Sequence, residues 1–378
     1  MFDALHGLVA WTPLGLPAFL FVITVVVFFH ELGHFAVARW CGVKVDVFSV
    51  GFGREIFGWT DKSGTRWKVS WLPIGGYVKF SGDANAASLP DPAAADRMSE
   101  AERVQTLAAK PVWQRAVVAA AGPLANFILA ILLFTGLLFY NGHTVLAPII
   151  GGVVKGSAAE AAGIQAGDRV TAIDGAKITD FEQMPQIISV SGGRILNIEL
   201  MRAGKPLSLQ VTPRPTRMRD VLGDMSTNMV IGVHPSPNAP VTTERYSLPG
   251  AVGGAVSETW DIMHTTVQGI AQMVRGHAST DQLRGPLGIA KMTRQVAVFG
   301  FMALLQLVAV LSVSIGLANL FPIPLLDGGH LLYYACEAVL GRPLGERAQD
   351  VGFRLGLVLV LGLVLLTTWN DLARLNLF

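Results

Sequence analysis

Residues 18–40 read AFLFVITVVVFFHELGHFAVARW, and this stretch decides the architecture. No Asp, Glu, Lys or Arg occurs from 4 to 30, a run of 27 residues. As a helix, such a run is long enough to cross a hydrocarbon layer of ~30 Å. At its end stands His30-Glu31-Leu32-Gly33-His34, an HExxH pattern. On a helix, residues four apart share a face, so both imidazoles can hold a single Zn²⁺ while Glu31 reaches the attacking water. An ionisable group at that depth costs roughly 2.5–3.5 kcal/mol on insertion scales, so it usually has partners and a function.

Three further runs lack Asp, Glu, Lys and Arg: 116–154, 295–326 and 355–370. The 264 residues outside the four runs carry all 56 charges, about 21%, close to the soluble norm of roughly 25%. The chain therefore reads as an ordinary polar protein with four apolar inserts, expected to span the membrane at 18–38, 117–140, 296–321 and 352–369. The third ends where Pro322 and Pro324 break the helix. A wholly soluble, disordered or fibrous protein is excluded. The net charge of +2, with no basic cluster, gives no reason to invoke nucleic acid. Cys41 and Cys336 show no paired spacing and read as small packing residues.

No Lys or Arg precedes the first run and no small-residue cleavage site follows it, so it is expected to stay in the mature protein. Residues 39–115 contain eleven Lys and Arg, and the link between spans three and four adds Arg342, Arg347 and Arg354. Both regions are then expected to be cytoplasmic, with the two termini and residues 141–295 outside.

A catalytic zinc usually takes three protein ligands and keeps a fourth position open. The third ligand should lie at the depth where span one ends, on the cytoplasmic side. The segment Asn319-Leu-Phe-Pro322-Ile-Pro324-Leu-Leu326-Asp327-Gly328-Gly329-His330 supplies Asp327, the first charge after 32 silent residues, with His330 as the rival three positions on.

These motifs resemble the site-2 proteases, the intramembrane zinc metalloproteases, and within them the bacterial sigma-E-regulating branch in a single-PDZ form. HELGH at 30–34 and NLFPIPLLDGGH at 319–330 are similar to the family's two metal-site motifs. GPLAN at 122–126, Gly51-Phe52-Gly53 with LPIGGYVKF at 72–80, KPVWQR at 110–115 and GPLGIA at 285–290 look like further family segments. The resemblance implies that His30, His34 and Asp327 bind zinc, that Glu31 is the catalytic acid and base, and that Asn319 helps engage substrate.

The fold expected is a multi-pass α-helical membrane protein of four transmembrane helices, with a membrane-associated β-hairpin region and one inserted α/β PDZ domain. A helical substrate must unwind before attack, and unwound backbone is tolerated at membrane depth only where protein or a water cavity satisfies it. An exposed strand edge within 43–80 would do so by strand addition; Gly51, Gly53, Gly75 and Gly76 are the candidate substrate-binding positions there. The run SAAEAAG at 157–163 followed by AGDRVTAIDG at 166–175 resembles a bacterial, circularly permuted PDZ domain, and Met229 to Val233 reads either as its carboxylate-facing loop or as its closing strand.

The expected layout is the first transmembrane helix at 1–38, a cytoplasmic β region and linker at 39–115, the second helix at 116–140, the PDZ domain at 141–236, connecting amphipathic helices at 237–295, the third helix with its LDG motif at 296–340, and the fourth with the C-terminus at 341–378. Within this, 81–96 reads as a linker, and 99–113 and 255–275 as surface helices. Expected partners are single-span membrane proteins, anti-sigma-factor-like chains already cut by an upstream site-1-type protease, or remnant signal peptides, in the bilayer of the bacterial inner membrane. The competing readings are a non-enzymatic PDZ-bearing adaptor with a vestigial metal site, and a zinc hydrolase of non-peptide substrates.

Overall fold

The computed structural model describes residues 14–83, 98–219 and 225–374; most of the expected linker at 81–96, and the residues flanking the first and last helices, lie outside them. Among the described residues four helices are long and apolar enough to cross a membrane. They are α1 (Gly15–Trp40), α3 (Val112–Asn141), α8 (Phe301–Leu320) and α10 (Glu346–Arg374). α10 buries little of its apolar length, and Leu355, Val358, Leu365 and Trp369 point outward. Apolar surface on that scale needs lipid, or another apolar solvent, around it.

Between α1 and α3 come β1 (Val45–Thr60), β2 (Arg66–Phe80) and the short α2 (Glu100–Arg103). The chain divides into two units, one of residues 1–134 and 285–369, the other of 135–284 and 370–378. The first unit also holds α7 (Pro286–Ala297) and α9 (Asp327–Leu340). Two apolar clusters pack it. Val22 and Val26 of α1 meet Leu129 of α3 and Leu307, Val308 and Leu311 of α8. Ala38, Val43, Val45, Phe48, Val78, Phe80 and Val118 seat the hairpin against the helices.

The hairpin is bent so that its strands pair twice. Residues 45–50 pair with 76–80 on one side and 66–69 on the other, while 57–60 also pair with 66–69. The bend falls at Gly51 and Gly53, with φ of 89° and 88°, and at Gly75, with φ of 113°, values that an L side chain rarely adopts. The segment 76–80 therefore has one side paired and one side free within this sheet.

Two helical expectations are corrected. The third span does not begin at Val296: α7 ends at Ala297, Gly300 turns with φ of 100°, and α8 starts at Phe301. Glycine there has no side chain to clash in that conformation. Its LDG motif likewise sits on a separate helix, α9. Residues 99–113 are not one helix: α2 is four residues long, with a Ser99–Glu102 capping box, and turns follow until Pro111 opens α3.

The second unit is the inserted β domain. It comprises β3 (His143–Leu146), β4 (Ile150–Val153), α4 (Ala158–Ala161), β5 (Arg169–Ile173), β6 (Ala176–Lys177), α5 (Gln183–Ser189), β7 (Leu196–Arg202), β8 (Lys205–Val211), β9 (Arg214–Arg219), β10 (Met225–Val230), β11 (Val233–Pro235), β12 (Val241–Glu244) and α6 (Leu248–Val274). Its central sheet has the order β6-β5-β7-β8. Two-residue turns at Asp174-Gly175 and Ala203-Gly204, all four residues at positive φ, close its hairpins in the form that suits strand twist. Ile150, Ile173, Met184, Leu196, Ile198 and Leu200 are buried in its core. Residues 229–233 are strand for the most part, the end of β10 and the start of β11, with Gly232 turning between them at φ of 83°.

Asp168, only 1% exposed, accepts hydrogen bonds from Arg202 Nε and Nη2, both at 2.7 Å, and from the Gln165 N–H at 2.8 Å. Burial pushes its carboxyl up, but the hydrogen bonds and the Arg202 charge outweigh it, holding the pKa below the usual carboxylate range. A depressed carboxylate stabilises the fold above its unfolded value of ~3.9 and loses that contribution as pH falls through the folded value. Asp168→Asn is therefore expected to lower the domain's melting temperature by several degrees at neutral pH, and the gap from wild type should close progressively below about pH 4. Calorimetry of the full chain from neutral to acid pH reads this directly.

Candidate metal centre

The HExxH residues occupy the last turns of α1, inside the first unit. His30 Nε2 and His34 Nε2 stand 3.3 Å apart, and Asp327 Oδ2 lies 3.1 Å from the first and 3.4 Å from the second. Zinc bonds of ~2.0–2.2 Å at tetrahedral angles separate donor atoms by roughly 3.3–3.5 Å. The three atoms thus sit close to the vertices such an ion requires. The side chains are 12%, 12% and 18% exposed, and Asp327 Oδ2 is buried without a well-directed hydrogen bond, as befits an atom aimed at a common centre. The residues present fit zinc.

Each ligand is oriented from behind, chiefly by α3. His34 Nδ1 donates to the Val118 carbonyl at 2.8 Å, which fixes the proton on that nitrogen and leaves Nε2 with its lone pair. His30 Nδ1 faces the Asn126 amide at 3.3 Å. With the amide turned so that Oδ1 accepts, His30 is set in the same tautomer, and Asn126 Oδ1, otherwise buried without a partner, is satisfied. Gly122 makes room for this: a Cβ there would stand 2.2 Å from His34 Nε2. Pro123, inside α3, cannot donate to the Ala119 carbonyl four residues back, and Ala119 lines the cavity.

Asp327 opens α9, where a carboxylate also suits the positive end of the helix dipole. Pro322 and Pro324 end α8, and Leu325 takes a φ of 87°, a conformation costing on the order of 1–3 kcal/mol for such a residue. Gly328 and Gly329 then pack where a Cβ would meet the Phe321 and Ile323 carbonyls at 2.2 and 2.5 Å.

These groups line a cavity of about 240 Å³ whose walls include Glu31, Asn319, His330, Tyr334 and, from the hairpin, Phe52, Gly76, Tyr77, Val78 and Phe80. Glu31 lies against β2: a Cβ on Gly76 would stand 3.4 Å from its Cγ. Of the four glycines expected to touch substrate, Gly76 lies on the cavity wall, whereas Gly51, Gly53 and Gly75 shape the bend behind it. His330 lines the cavity but is not part of the three-atom donor cluster found among the described residues. Gly122, Asn126 and the Val118 carbonyl carry the orienting contacts; the GPLAN motif contains two of them, but nothing in its spacing reveals that they face the histidines.

Two imidazoles and a carboxylate at zinc spacing, beside a glutamate at the end of a membrane-length helix, define a membrane zinc metalloprotease. The pattern of peptidase family M50, the site-2 proteases, matches residues 18–363, and the chain belongs to that family. It is 45% identical over 358 residues to a protein of Agrobacterium fabrum named, by assignment, as a zinc metalloprotease, covering 94% of this chain and 95% of that one. A similarly named protein of Rhizobium meliloti is 43% identical over 358 residues, with 94% and 96% covered. The metalloprotease MmpA of Caulobacter vibrioides is 39% identical over 385 residues, with 96% of each chain covered. The protein is accordingly a zinc metalloprotease of a bacterial membrane.

Gly122→Ala is expected to abolish stoichiometric zinc binding, because the added methyl group displaces the His34 ring. Asn126→Ala should weaken zinc affinity about 10–100-fold, the usual cost of removing a group that orients a ligand. Metal analysis of the purified variants and competition with a chelator measure both.

Proposed function

We propose that this enzyme cuts single-span membrane proteins within the bilayer, acting on anti-sigma-factor-like chains after a first cut by another protease, or on remnant signal peptides. The observation that carries this reading is the juxtaposition of three zinc-spaced donor atoms with the free side of strand segment 76–80, all in the unit that holds the apolar helices. A substrate helix keeps its carbonyls in internal hydrogen bonds, and unwinding it at membrane depth requires replacement partners. Strand addition to 76–80 supplies them and leaves an extended chain against the cavity.

In this reading His30, His34 and Asp327 are the zinc ligands. Bound zinc polarises the scissile carbonyl and eases removal of a proton from water. Glu31 takes that proton as the water attacks and returns it to the departing amine. Glu31 stands beside Gly76 on the wall of the same cavity, so that base and scissile bond meet in register. Asn319, on the cavity wall, donates its amide to a substrate carbonyl, and Gly76 lets the substrate backbone approach closely.

The inserted domain of residues 141–236 is read as a PDZ domain on the extracytoplasmic side, with both chain termini, and the metal centre as lying near the cytoplasmic face. The accumulation of Lys and Arg in 39–115 supports that orientation. The two-residue turns, the core of residues 150–200 and the run at 157–175 support the domain assignment. Placed so, it screens out substrates whose external domains are still intact.

The test is cleavage of a tagged single-span substrate by wild type and by Glu31→Gln. The variant should keep its zinc and lose at least ~10²–10⁴-fold in rate. Cleavage surviving in the variant, or absent from zinc-loaded wild type across a substrate panel, sinks the protease assignment of these residues. Asp327→Ala should lose zinc; full retention would transfer the ligand role to His330.

A further inference from the structure

Asp327, His330, Tyr334 and Glu337 follow one another at intervals of three, four and three, and so form one stripe along α9. The first three line the metal cavity. The fourth is gripped: Arg115 Nη2 donates to Glu337 Oε1 at 2.6 Å and Nη1 to Oε2 at 3.0 Å, with side chains only 16% and 14% exposed. The same guanidinium gives its Nε–H to the Lys110 carbonyl at 3.0 Å and lies 5.0 Å from the centroid of the Tyr334 ring. Three of the guanidinium N–H groups are thereby committed, two of them in the bidentate geometry that arginine provides.

The residues buried in α9 are Gly328 and Gly329, both at its first turn, and a cavity of about 410 Å³ bounded by Tyr333, Leu344 and Phe353 runs beside the ion pair. Glu337 lies ten residues beyond Asp327, about 15 Å along the axis. α9 is held at its first turn by the two glycines, along its length by Tyr333 packed on Gly352 of α10, and near its far end by the ion pair; these contacts set its direction, and a change of direction turns the Asp327 carboxylate. Arg115 also stands three residues before Val118, whose carbonyl holds His34, in the helix whose Asn126 faces His30. One helix, α3, therefore supplies the groups behind both histidines and, through Arg115, grips the helix that carries Asp327.

We propose that Arg115 and Glu337 are a positioning pair that sets the Asp327 carboxylate against the two histidines. The proposal rests on the reading of Asp327 as the third zinc ligand. The pair touches neither metal nor substrate and acts through the orientation of α9.

Full-length protein in detergent micelles would be compared as wild type, Arg115→Lys, Glu337→Gln, the exchanged pair Arg115→Glu with Glu337→Arg, and Asp327→Ala. Three quantities are read: zinc affinity by chelator competition, the visible spectrum of the Co²⁺-substituted protein, and the melting temperature of the metal-free protein. The single variants should bind zinc about 10–100-fold more weakly and shift the Co²⁺ bands, and the exchanged pair should regain part of both. A pair that only stabilises the fold lowers the metal-free melting temperature and leaves affinity and spectrum at wild-type values; that result overturns the proposal. Should Arg115→Lys fail to fold, the near-isosteric Glu337→Gln decides by the same two readouts. Zinc retained in Asp327→Ala refutes the ligand reading itself, whereas zinc lost there but bound at full affinity by both single variants refutes only the positioning role.

Discussion

The first unit depends on how closely α1 and α3 can approach. A Cβ on Gly33 would lie 2.3 Å from the Ala121 carbonyl, and one on Gly122 would lie 2.2 Å from His34 Nε2. Two missing side chains, one on each helix, bring backbone to within contact of backbone and imidazole. That contact places the Val118 carbonyl and the Asn126 amide behind the histidines and directs both Nε2 atoms to one point. Small residues at such crossings are the usual means of close packing in lipid, where apolar side chains gain nothing by meeting one another. Here the close crossing also sets the chemistry of the metal centre, since imidazoles held in the other tautomer present an N–H at Nε2 where the ion needs a lone pair.

Much of this was legible in the sequence, and unevenly so. The four apolar helices could be read from the distribution of charge alone, because hydrocarbon excludes charge whatever the fold. HExxH could be read because its chemistry is local: four residues on a helix bring both imidazoles to one face. Asp327 needed more, namely that two distant runs end at the same depth. The hairpin's double pairing was not legible, because Gly51, Gly53 and Gly75 mark bends without saying which strand segments meet after bending. The break at Gly300 was hidden for a similar reason, since the apolar run continues through a turn that only the backbone reveals. Arg115 and Glu337, 222 positions apart, carry no spacing signal, and their meeting is a property of packing.

The two units solve different physical problems. The inserted domain has a core of buried aliphatic side chains, tight turns and a carboxylate–arginine pair, the means by which a soluble fold is held in water. The helical unit leaves many apolar side chains facing outward and concentrates its polar contacts at one end of α1, behind and around a cavity. Its buried side-chain hydrogen bonds link Ser49 to the Gly51 carbonyl and Ser70, Thr65 to the Val45 carbonyl and Ser312 to the Asn126 carbonyl, and the part-buried contacts of His30 and His34 orient the ligands. In such a region an unpaired polar atom is costly, which is why the hydroxyls of Ser49, Thr65 and Ser312 each donate to a backbone carbonyl.

The donor set draws two residues from α1 and the third 293 positions later. During synthesis the histidines and Glu31 leave the ribosome long before Asp327 exists. A growing chain therefore carries its glutamate base with only two of the three zinc ligands through most of its production, and the centre is completed only when the helix preceding Asp327 has been made and packed. The order of the residues along the chain thus sets an order in time: the full metal site forms only after nearly all of the helices of the chain have been made.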